Sequence, residues 1–310
     1  MASAGRVRAL IALSRPPFVL VGLAPFLSGV ALAAMRGYRV DPGLLALSLV
    51  GLTAILLATY YSNEYFDYEG DLLNVRHNRF SGGTRVFPSG LLPRQVGLYA
   101  LAGSLAALAA ATAVYVPLYM SARPLLPLMA LAGAVMGVLY SGPPGRWAYR
   151  GLGEVMIAVA YGWLAVSSGY YAASGRLSWA ATVLSIPASL TVFSLILVNE
   201  LPDYEADVRV SKRNLVVRLG GPARARYLYS ASMAASAVAE AWASLALGGP
   251  LAAAVTALVF TPPALYAALR VTDDRVIEDT RGAMERLSAL TVALDLVAPY
   301  LVLLTALLPR

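Results

Sequence analysis

Residues 63–71 of the chain read NEYFDYEGD, and residues 199–207 read NELPDYEAD. The two stretches are identical at six of nine positions, and four of these six positions are acidic. Only 13% of the 310 residues are charged, so this agreement indicates an internal repeat. Each copy directly follows an apolar run, which predicts that the acidic residues lie where a hydrophobic helix leaves a membrane.

The composition predicts a polytopic membrane protein. Hydrophobic residues make up 59% of the chain and the mean hydropathy is +0.67, values too high for a soluble globular protein. Apolar runs long enough to cross a bilayer, about 20 residues each, recur along the whole chain. They predict an all-α bundle of nine transmembrane helices with cores at 17–34, 44–61, 96–116, 125–140, 152–171, 180–198, 227–247, 251–269 and 287–308.

The basic residues give this bundle an orientation. With nine spans, 19 of the 24 Lys and Arg residues lie on the side of the N-terminus, which the positive-inside rule makes cytoplasmic. Four crossings separate the two acidic stretches, so both are expected at that cytoplasmic side, as in a parallel repeat. No linker divides the chain, which predicts a single transmembrane domain over residues 1–310.

Both acidic stretches have the spacing N-x-x-x-D-x-x-x-D. Steps of four residues keep side chains on one face of a helix, so the amide and the two aspartates of each copy are expected to project together, with the glutamates pointing elsewhere. Pro202 is expected to end or kink its helix just before Asp203. The predicted cluster consists of Asn63, Asp67, Asp71, Asn199, Asp203 and Asp207.

Four carboxylates at close quarters require a cation. The chain has no Cys and one His, which excludes Cys- or His-based metal sites and disulfides. Carboxylate and amide oxygens suit a hard divalent cation, Mg²⁺ first. Because Mg²⁺ keeps open positions for phosphate oxygens, the cluster predicts a diphosphate ligand.

Basic residues near the cluster are candidates for binding that diphosphate. The repeat aligns Arg76 with Lys212, the only Lys of the chain, and these two are favoured. Arg15 lies where the first helix begins, and Tyr140 and Arg146 lie at the end of the fourth predicted span.

Two other interpretations explain the acidic residues differently. The acidic residues could be solvated anchors that pair with loop arginines, or they could belong to a cation or phosphate transporter built on the same repeat. Glu154, Glu240 and Asp295 are the main acids placed away from the cytoplasmic side, which is few for a transport path. The net charge of +7 is spread over short loops, a distribution that does not indicate nucleic-acid binding.

The paired motifs, together with the RPP segment before the first span and the LYSGPP segment after the fourth, resemble the UbiA superfamily of intramembrane prenyltransferases. The resemblance covers essentially the whole chain. It implies two Mg²⁺ ions held by the six clustered residues, with the four aspartates catalytic, and the diphosphate of a polyprenyl donor bound there. The prenyl group would pass to an aromatic acceptor of the hydroxybenzoate or dihydroxynaphthoate type in quinone biosynthesis.

Within the family, the stretches GGTRVFPSG and KRNLVVRLG look closer to the dihydroxynaphthoate and archaeal-type members. The alternative acceptor is a glycerol phosphate lipid that would receive a geranylgeranyl group. Membrane lipid is the expected surrounding, and the active site is expected at the cytoplasmic side of the cell membrane.

Overall fold

The structure is a computed structural model that describes residues 2–309, and the predicted domain limits, residues 1 and 310, lie just outside it. The described residues form helices and turns and contain no β-strand, which confirms the all-α prediction. The helices, in chain order, are α1 Ala2–Leu13, α2 Pro16–Met35, α3 Pro42–Phe66, α4 Tyr68–Leu73, α5 Gln95–Tyr119, α6 Leu126–Ser141, α7 Gly153–Ile157, α8 Ala165–Ser174, α9 Trp179–Glu200, α10 Tyr204–Arg209, α11 Leu215–Arg218, α12 Pro222–Gly248, α13 Pro250–Arg270, α14 Asp274–Glu278 and α15 Ala283–Thr305. A 3₁₀ turn covers Trp147–Arg150, and a π-helical stretch, Ala158–Leu164, joins α7 to α8.

Seven helical segments of the described chain are long and apolar enough to cross a membrane. They are Gly5–Met35, Pro42–Phe66, Gln95–Tyr119, Gly153–Ser174, Trp179–Glu200, Pro250–Arg270 and Ala283–Thr305. Two of the nine predicted spans are not among them. Helix α6 has only 16 residues, and the 27-residue helix α12 contains many Ala and Ser residues together with Arg224, Arg226 and Glu240. The count of nine therefore stays a prediction.

Close helix contacts depend on small residues. Helices α2 and α8 approach until a Cβ atom on Gly29 would lie 2.0 Å from the carbonyl oxygen of Val166, and one on Gly169 would lie 1.9 Å from that of Phe26. Any larger residue would force the two backbones apart, and such small-residue contacts are how membrane helices pack without a hydrophobic driving force.

Both acidic stretches interrupt a long helix. Helix α3 ends at Phe66, Asp67 lies at the junction, and the six-residue helix α4 follows. Helix α9 ends at Glu200, and after a short turn that contains Pro202 the six-residue helix α10 begins behind Asp203. The expected break at Pro202 is therefore present. The break at Asp67 was not predicted, because no proline or glycine precedes it in the stretch. Helices α4 and α10 pack against each other, which brings the two acidic stretches together.

Candidate active site

The first aspartate of each stretch is held by hydrogen bonds from distant parts of the chain. Asp67 accepts one from the Ser141 hydroxyl at 2.8 Å and one from the Tyr149 hydroxyl at 3.0 Å. Asp203 accepts one from the Asn74 amide at 2.6 Å and one from the backbone N–H of Gly82 at 3.3 Å. The loop that follows the first stretch therefore holds the aspartate of the second.

The second aspartates lie beside the first. Asp207 accepts a hydrogen bond from the Asn214 amide at 2.7 Å, and its backbone N–H donates to the Asp203 carbonyl at 2.9 Å. The Asp71 carboxylate lies directly over Gly83, because a Cβ atom on that glycine would be 2.2 Å from Asp71 Oδ2. The four-residue spacing thus keeps each pair of aspartates close even though the long helix is broken.

Lys212 lies between the two stretches. Its Nζ atom is 3.6 Å from Asp67 Oδ2 and 3.7 Å from Asp207 Oδ1. The side chains of Lys212 and Asp207 are 13% and 6% exposed, so this ammonium compensates carboxylates in a largely desolvated place. The sequence indicated Lys212 as a partner of phosphate, and the structure adds a contact with the acidic residues.

The acidic groups modify one another's ionisation. Burial raises the pKa of Asp71 well above its usual value, and the charges of Glu64 and Asp67 raise it further. Burial also raises the pKa of Asp207 to about 7, although Lys212 opposes the shift. For Lys212, burial alone would lower the pKa, but the charges of Asp207 and Asp67 raise it well above its usual value. These carboxylates need a positive charge to ionise fully.

The amides of the two stretches fit a cation site. The side-chain oxygens of Asn63 and Asn199 are both buried and accept no hydrogen bond from the residues that the structure describes, a costly state for a polar atom. Both residues line one pocket together with Asp67, Asp71 and Asp203. Among the described residues no group of three or more acidic or His side chains already has metal-binding geometry, but unpartnered amide oxygens beside carboxylates are the ligands that Mg²⁺ takes in proteins.

The predicted basic and tyrosine residues lie in different places. Arg15, Tyr140 and Lys212 line the pocket. Arg15 is also paired with the buried carboxylate of Glu64, to which its Nε donates at 2.9 Å. The hydroxyl and the backbone N–H of Thr84 donate to that same carboxylate, so Glu64 fixes both the start of α2 and the loop over the site.

Two predicted basic residues are not brought into the pocket lining. Arg76 donates to the carbonyl oxygen of Ile277 at 2.8 Å and lies 3.7 Å from Glu205. The Arg146 guanidinium covers the Tyr149 ring at 3.9 Å from its centroid. Both contacts hold these side chains at the edge of the site, Arg76 toward α14 and Arg146 behind the tyrosine that donates to Asp67.

The glutamates expected to point away from the cluster divide into two groups. Glu69 and Glu205 are solvent-exposed, with 65% and 56% of their side chains accessible. Glu64 and Glu200 are buried, and both carboxylate oxygens of Glu200 lack a hydrogen-bond partner. Sequence reasoning missed the contributions of Asn74, Glu64, Thr84 and Tyr149. For the first of these a signal existed, since Asn74 lies one helical turn after Asp71.

An apolar cavity adjoins the polar pocket inside the bundle. It lies between α2, α3, α5, α6 and the segment from α7 to α8, and its volume is about 120 Å³. Thr59, Ile157 and Tyr161 line both cavities. A ligand with a polar head and a long apolar tail would therefore place the head at the aspartates and the tail within the membrane-spanning part.

These features define an integral membrane protein of helical bundle type, with an acidic site at the helix ends that opens onto an apolar cavity. The sequence model of the UbiA prenyltransferase family matches residues 22–293, and the chain belongs to that family. It is an intramembrane prenyltransferase.

Individual relatives agree with this assignment. The chain is 30% identical over 280 residues to the 1,4-dihydroxy-2-naphthoate octaprenyltransferase of Mycobacterium leprae, which covers 87% of this chain and 90% of that protein. Its fold is similar to that of a UbiA homolog from Archaeoglobus fulgidus bound to DMAPP and Mg²⁺, with a TM-score of 0.64, 17% identity and coverage of 94% of this chain and 98% of the other. A structure of digeranylgeranylglyceryl phosphate synthase has a TM-score of 0.61 at 15% identity, covering 95% of this chain and 98% of the other.

Proposed function

We propose that the protein transfers a polyprenyl group from a polyprenyl diphosphate to an aromatic acceptor, in a reaction that depends on Mg²⁺ and serves quinone biosynthesis. The observation that carries this proposal is the junction of two cavities, one lined by aspartates and unpartnered amide oxygens and the other by apolar side chains. The naphthoate acceptor named for the Mycobacterium leprae relative supports an aromatic acceptor.

The residues that would hold the metal are those of the two stretches. Two ions are proposed, because six oxygen-bearing side chains exceed what one Mg²⁺ ion takes from protein when it keeps positions for phosphate. When bound, the ions neutralise charge on the diphosphate leaving group. The proposed ligands are Asn63, Asp67, Asp71, Asn199, Asp203 and Asp207, and the four aspartates are the proposed catalytic residues.

The diphosphate would also contact the basic residues of the pocket. Lys212 and Arg15 supply positive charge and Tyr140 a hydroxyl donor, and all three line the pocket. Arg76 and Arg146 are placed at its edge by their contacts with Glu205 and Tyr149. A direct contact of either one with diphosphate requires the side chain to leave that partner, so both are proposed as peripheral phosphate-binding groups.

The reaction breaks the allylic C–O bond of the donor, whose electron pair leaves with the diphosphate. The allylic cation then forms a bond to an electron-rich ring carbon of the acceptor, and the proton lost from that carbon is taken up by the released diphosphate or a carboxylate. The apolar cavity holds the prenyl tail and excludes water that would otherwise quench the cation. Since the donor is itself a lipid, this chemistry belongs within a membrane.

The proposal also covers the number of membrane spans and the internal repeat. We propose that α6 and α12 also cross the membrane, which makes nine spans in one domain, and that the two acidic stretches are equivalent parts of a parallel repeat. The matching six-residue helices α4 and α10 support this. With nine spans the positive-inside rule places the site at the cytoplasmic side.

Cysteine labelling tests this topology, since the natural chain has no Cys. Arg79 is an exposed position in the loop that follows the first stretch. Arg79→Cys and Arg209→Cys should react with an impermeant thiol reagent only from the cytoplasmic side, and Arg176→Cys only from the other. Labelling of the first two from opposite sides would contradict the proposal.

Two other functions are less well supported. The alternative of a glycerol phosphate lipid acceptor is supported by the similarity to digeranylgeranylglyceryl phosphate synthase. That protein is 15% identical to this chain, and a similarity at this level shows the fold alone. A transporter would need a polar path across the bilayer, whereas the aspartates of the two acidic stretches lie together where α3 and α9 end.

Substitution of the aspartates tests the function. Asp67→Asn and Asp203→Asn keep the shape but remove the charge that would hold the metal, and each should abolish transfer. Glu69→Gln and Glu205→Gln are matched controls within the same stretches, and because both side chains are exposed they should retain most activity. The assay follows prenylated product from prenyl diphosphate, naphthoate and Mg²⁺, and full activity of the two aspartate variants would refute the assignment.

A further inference from the structure

A second pocket lies beside the acidic site and has the opposite charge. We call it the vestibule. Its lining includes Arg79, Arg85, Arg281, His77 and Glu285, together with the start of α2. It shares Arg15, Phe18, Phe80 and Gly83 with the pocket of the aspartates. The vestibule is therefore a continuation of the active site toward the loops.

The positive charge of the vestibule is only partly compensated. Arg15 is paired with Glu64, and Arg79 lies 3.8 Å from Glu285. In the part of the chain that the structure describes, neither Arg85 nor Arg281 forms a salt bridge, and they donate instead to the backbone oxygens of Asp71 and His77. Partial burial and the charges of Arg85 and Arg281 lower the pKa of His77, which reports the same positive potential at its ring.

Apolar and aromatic groups lie between the two pockets. The rings of Phe18 and Phe80 meet edge to face with their centroids 6.3 Å apart, and Pro16 and Pro17 continue this wall. A free phosphate needs none of these groups. An aromatic ring that carries a carboxylate would use both halves, with the ring on the apolar wall and the carboxylate toward the guanidinium groups.

We propose that the vestibule binds the aromatic acceptor by its carboxylate, through Arg281 and Arg85, with the acceptor ring lying against Phe18 and Phe80. The inference rests on the proposed function, because it assigns the acceptor of that same reaction to a place. The diphosphate then occupies the pocket beyond the phenylalanines. Donor and acceptor reach the centre from opposite sides, the donor from the apolar cavity and the acceptor from the loops.

Kinetics separate this role from a structural one. Arg281→Gln should raise the KM for 1,4-dihydroxy-2-naphthoate about tenfold or more, as expected for the loss of one charge-assisted hydrogen bond, while the KM for the prenyl diphosphate and kcat change less than twofold. The matched control is Arg286→Gln, an exposed position five residues further along the chain and outside the vestibule, which should leave all three values unchanged. With 1,4-dihydroxynaphthalene, which lacks the carboxylate, wild type and Arg281→Gln should have equal KM values.

Glu285, the one acid among the described residues that line the vestibule, gives a test in which the KM should change in the opposite direction. Glu285→Gln removes the negative charge but keeps the side-chain length, so it should lower the KM for the naphthoate. A KM unaffected by Arg281→Gln in a protein that does transfer prenyl groups would overturn the inference and leave the proposed function intact. If the wild type transferred to no aromatic acceptor at all, the proposed function itself would fail.

A binding measurement without donor or Mg²⁺ provides an independent readout. His77 is the only His of the chain, so one histidine NMR signal reports the vestibule. Saturating 1-hydroxy-2-naphthoate should raise the pKa of His77, because the bound carboxylate favours the charged imidazole, and 1-naphthol should leave it unchanged. A shift of equal size with inorganic diphosphate would identify a general phosphate site and overturn the inference, as would a shift with 1-naphthol.

Discussion

Removing the Lys212 ammonium should destabilise the protein far more without Mg²⁺ than with it. Lys212→Met keeps the length of the side chain and deletes the charge that lies 3.6 Å from Asp67 and 3.7 Å from Asp207. At an effective dielectric constant of about 20, each pair attracts by about 4 to 5 kcal/mol before desolvation is counted. Loss of one partner from a buried ion pair costs about 3–5 kcal/mol, which is the loss expected in EDTA.

Saturating Mg²⁺ should reverse most of this loss. The metal supplies positive charge to the same carboxylates, so the remaining destabilisation is expected to fall to about half or less of its value in EDTA, on the same ion-pair argument. The variant should also bind Mg²⁺ more tightly than wild type, because the competing ammonium is gone.

Thermal unfolding of the detergent-solubilised protein measures this difference. Melting temperatures of wild type, Lys212→Met and the charge-conserving control Lys212→Arg are compared in EDTA and in Mg²⁺. Equal losses in both conditions would refute the reasoning, since they would mean that Lys212 stabilises something other than the acidic cluster. An unchanged melting temperature in EDTA would mean that Lys212 does not stabilise the acidic cluster and that its role is limited to binding phosphate.

Three further expectations test the surroundings of the site. Gly83→Ala should cost most of the activity, because its Cβ would lie 2.2 Å from Asp71 Oδ2. Gly90→Ala has the same φ of +67° but nothing within 4 Å, so it should lose about 1–2 kcal/mol of stability in the melting assay from backbone strain alone and keep its activity. The Mg²⁺-induced rise in melting temperature should be larger at pH 8 than at pH 6. Because the pKa of Asp207 is raised to about 7, the protonated carboxyl stabilises the folded protein without metal at low pH, and this stability is lost as the pH rises through 7. Metal binding requires the ionised carboxylate, so it is favoured at the higher pH. Gly133→Phe, in the lining of the apolar cavity, should shift activity toward shorter prenyl donors in a chain-length series; unchanged selectivity would place the tail elsewhere.

The sequence predicted that the two acidic stretches come together, but it did not predict the groups that hold them in place. The spacing within each stretch and the predicted even number of crossings led us to expect aspartates from two distant segments in one place. The hydrogen bonds to Asp203 were not predictable, because Asn74 and Gly82 lie more than 100 residues before it and no local pattern encodes that contact.

The alignment of the two stretches did not predict where each aligned basic residue lies, as Arg76 and Lys212 show. The two residues occupy equivalent positions after their stretches, yet Lys212 lies within the acidic site and Arg76 points to α14 and Glu205. The loop behind the first stretch folds over the site and bonds to Asp203, so it diverges from its counterpart soon after the short helix. Aligned residues of the two copies therefore occupy equivalent places only as far as the short helices, because the loops that follow contact different residues.

The break in each long helix explains how the acidic residues are tolerated. A continuous helix would leave the aspartates at a C-terminus, where the helix dipole disfavours negative charge. In the structure Asp67 and Asp203 precede α4 and α10, and Asp71 and Asp207 lie in the first turns of these helices, where the dipole favours carboxylates.

Neither Asp67 nor Asp203 uses its side chain to cap the short helix that it precedes. Their carboxylates instead accept hydrogen bonds from side chains and backbone that line the site, and Lys212 supplies the positive charge. The carboxylates are thus oriented by the chain itself, and a bound ion would compete with one ammonium group for them. Because orientation is already achieved, more of the binding free energy of metal and diphosphate remains for stabilising charge on the leaving group.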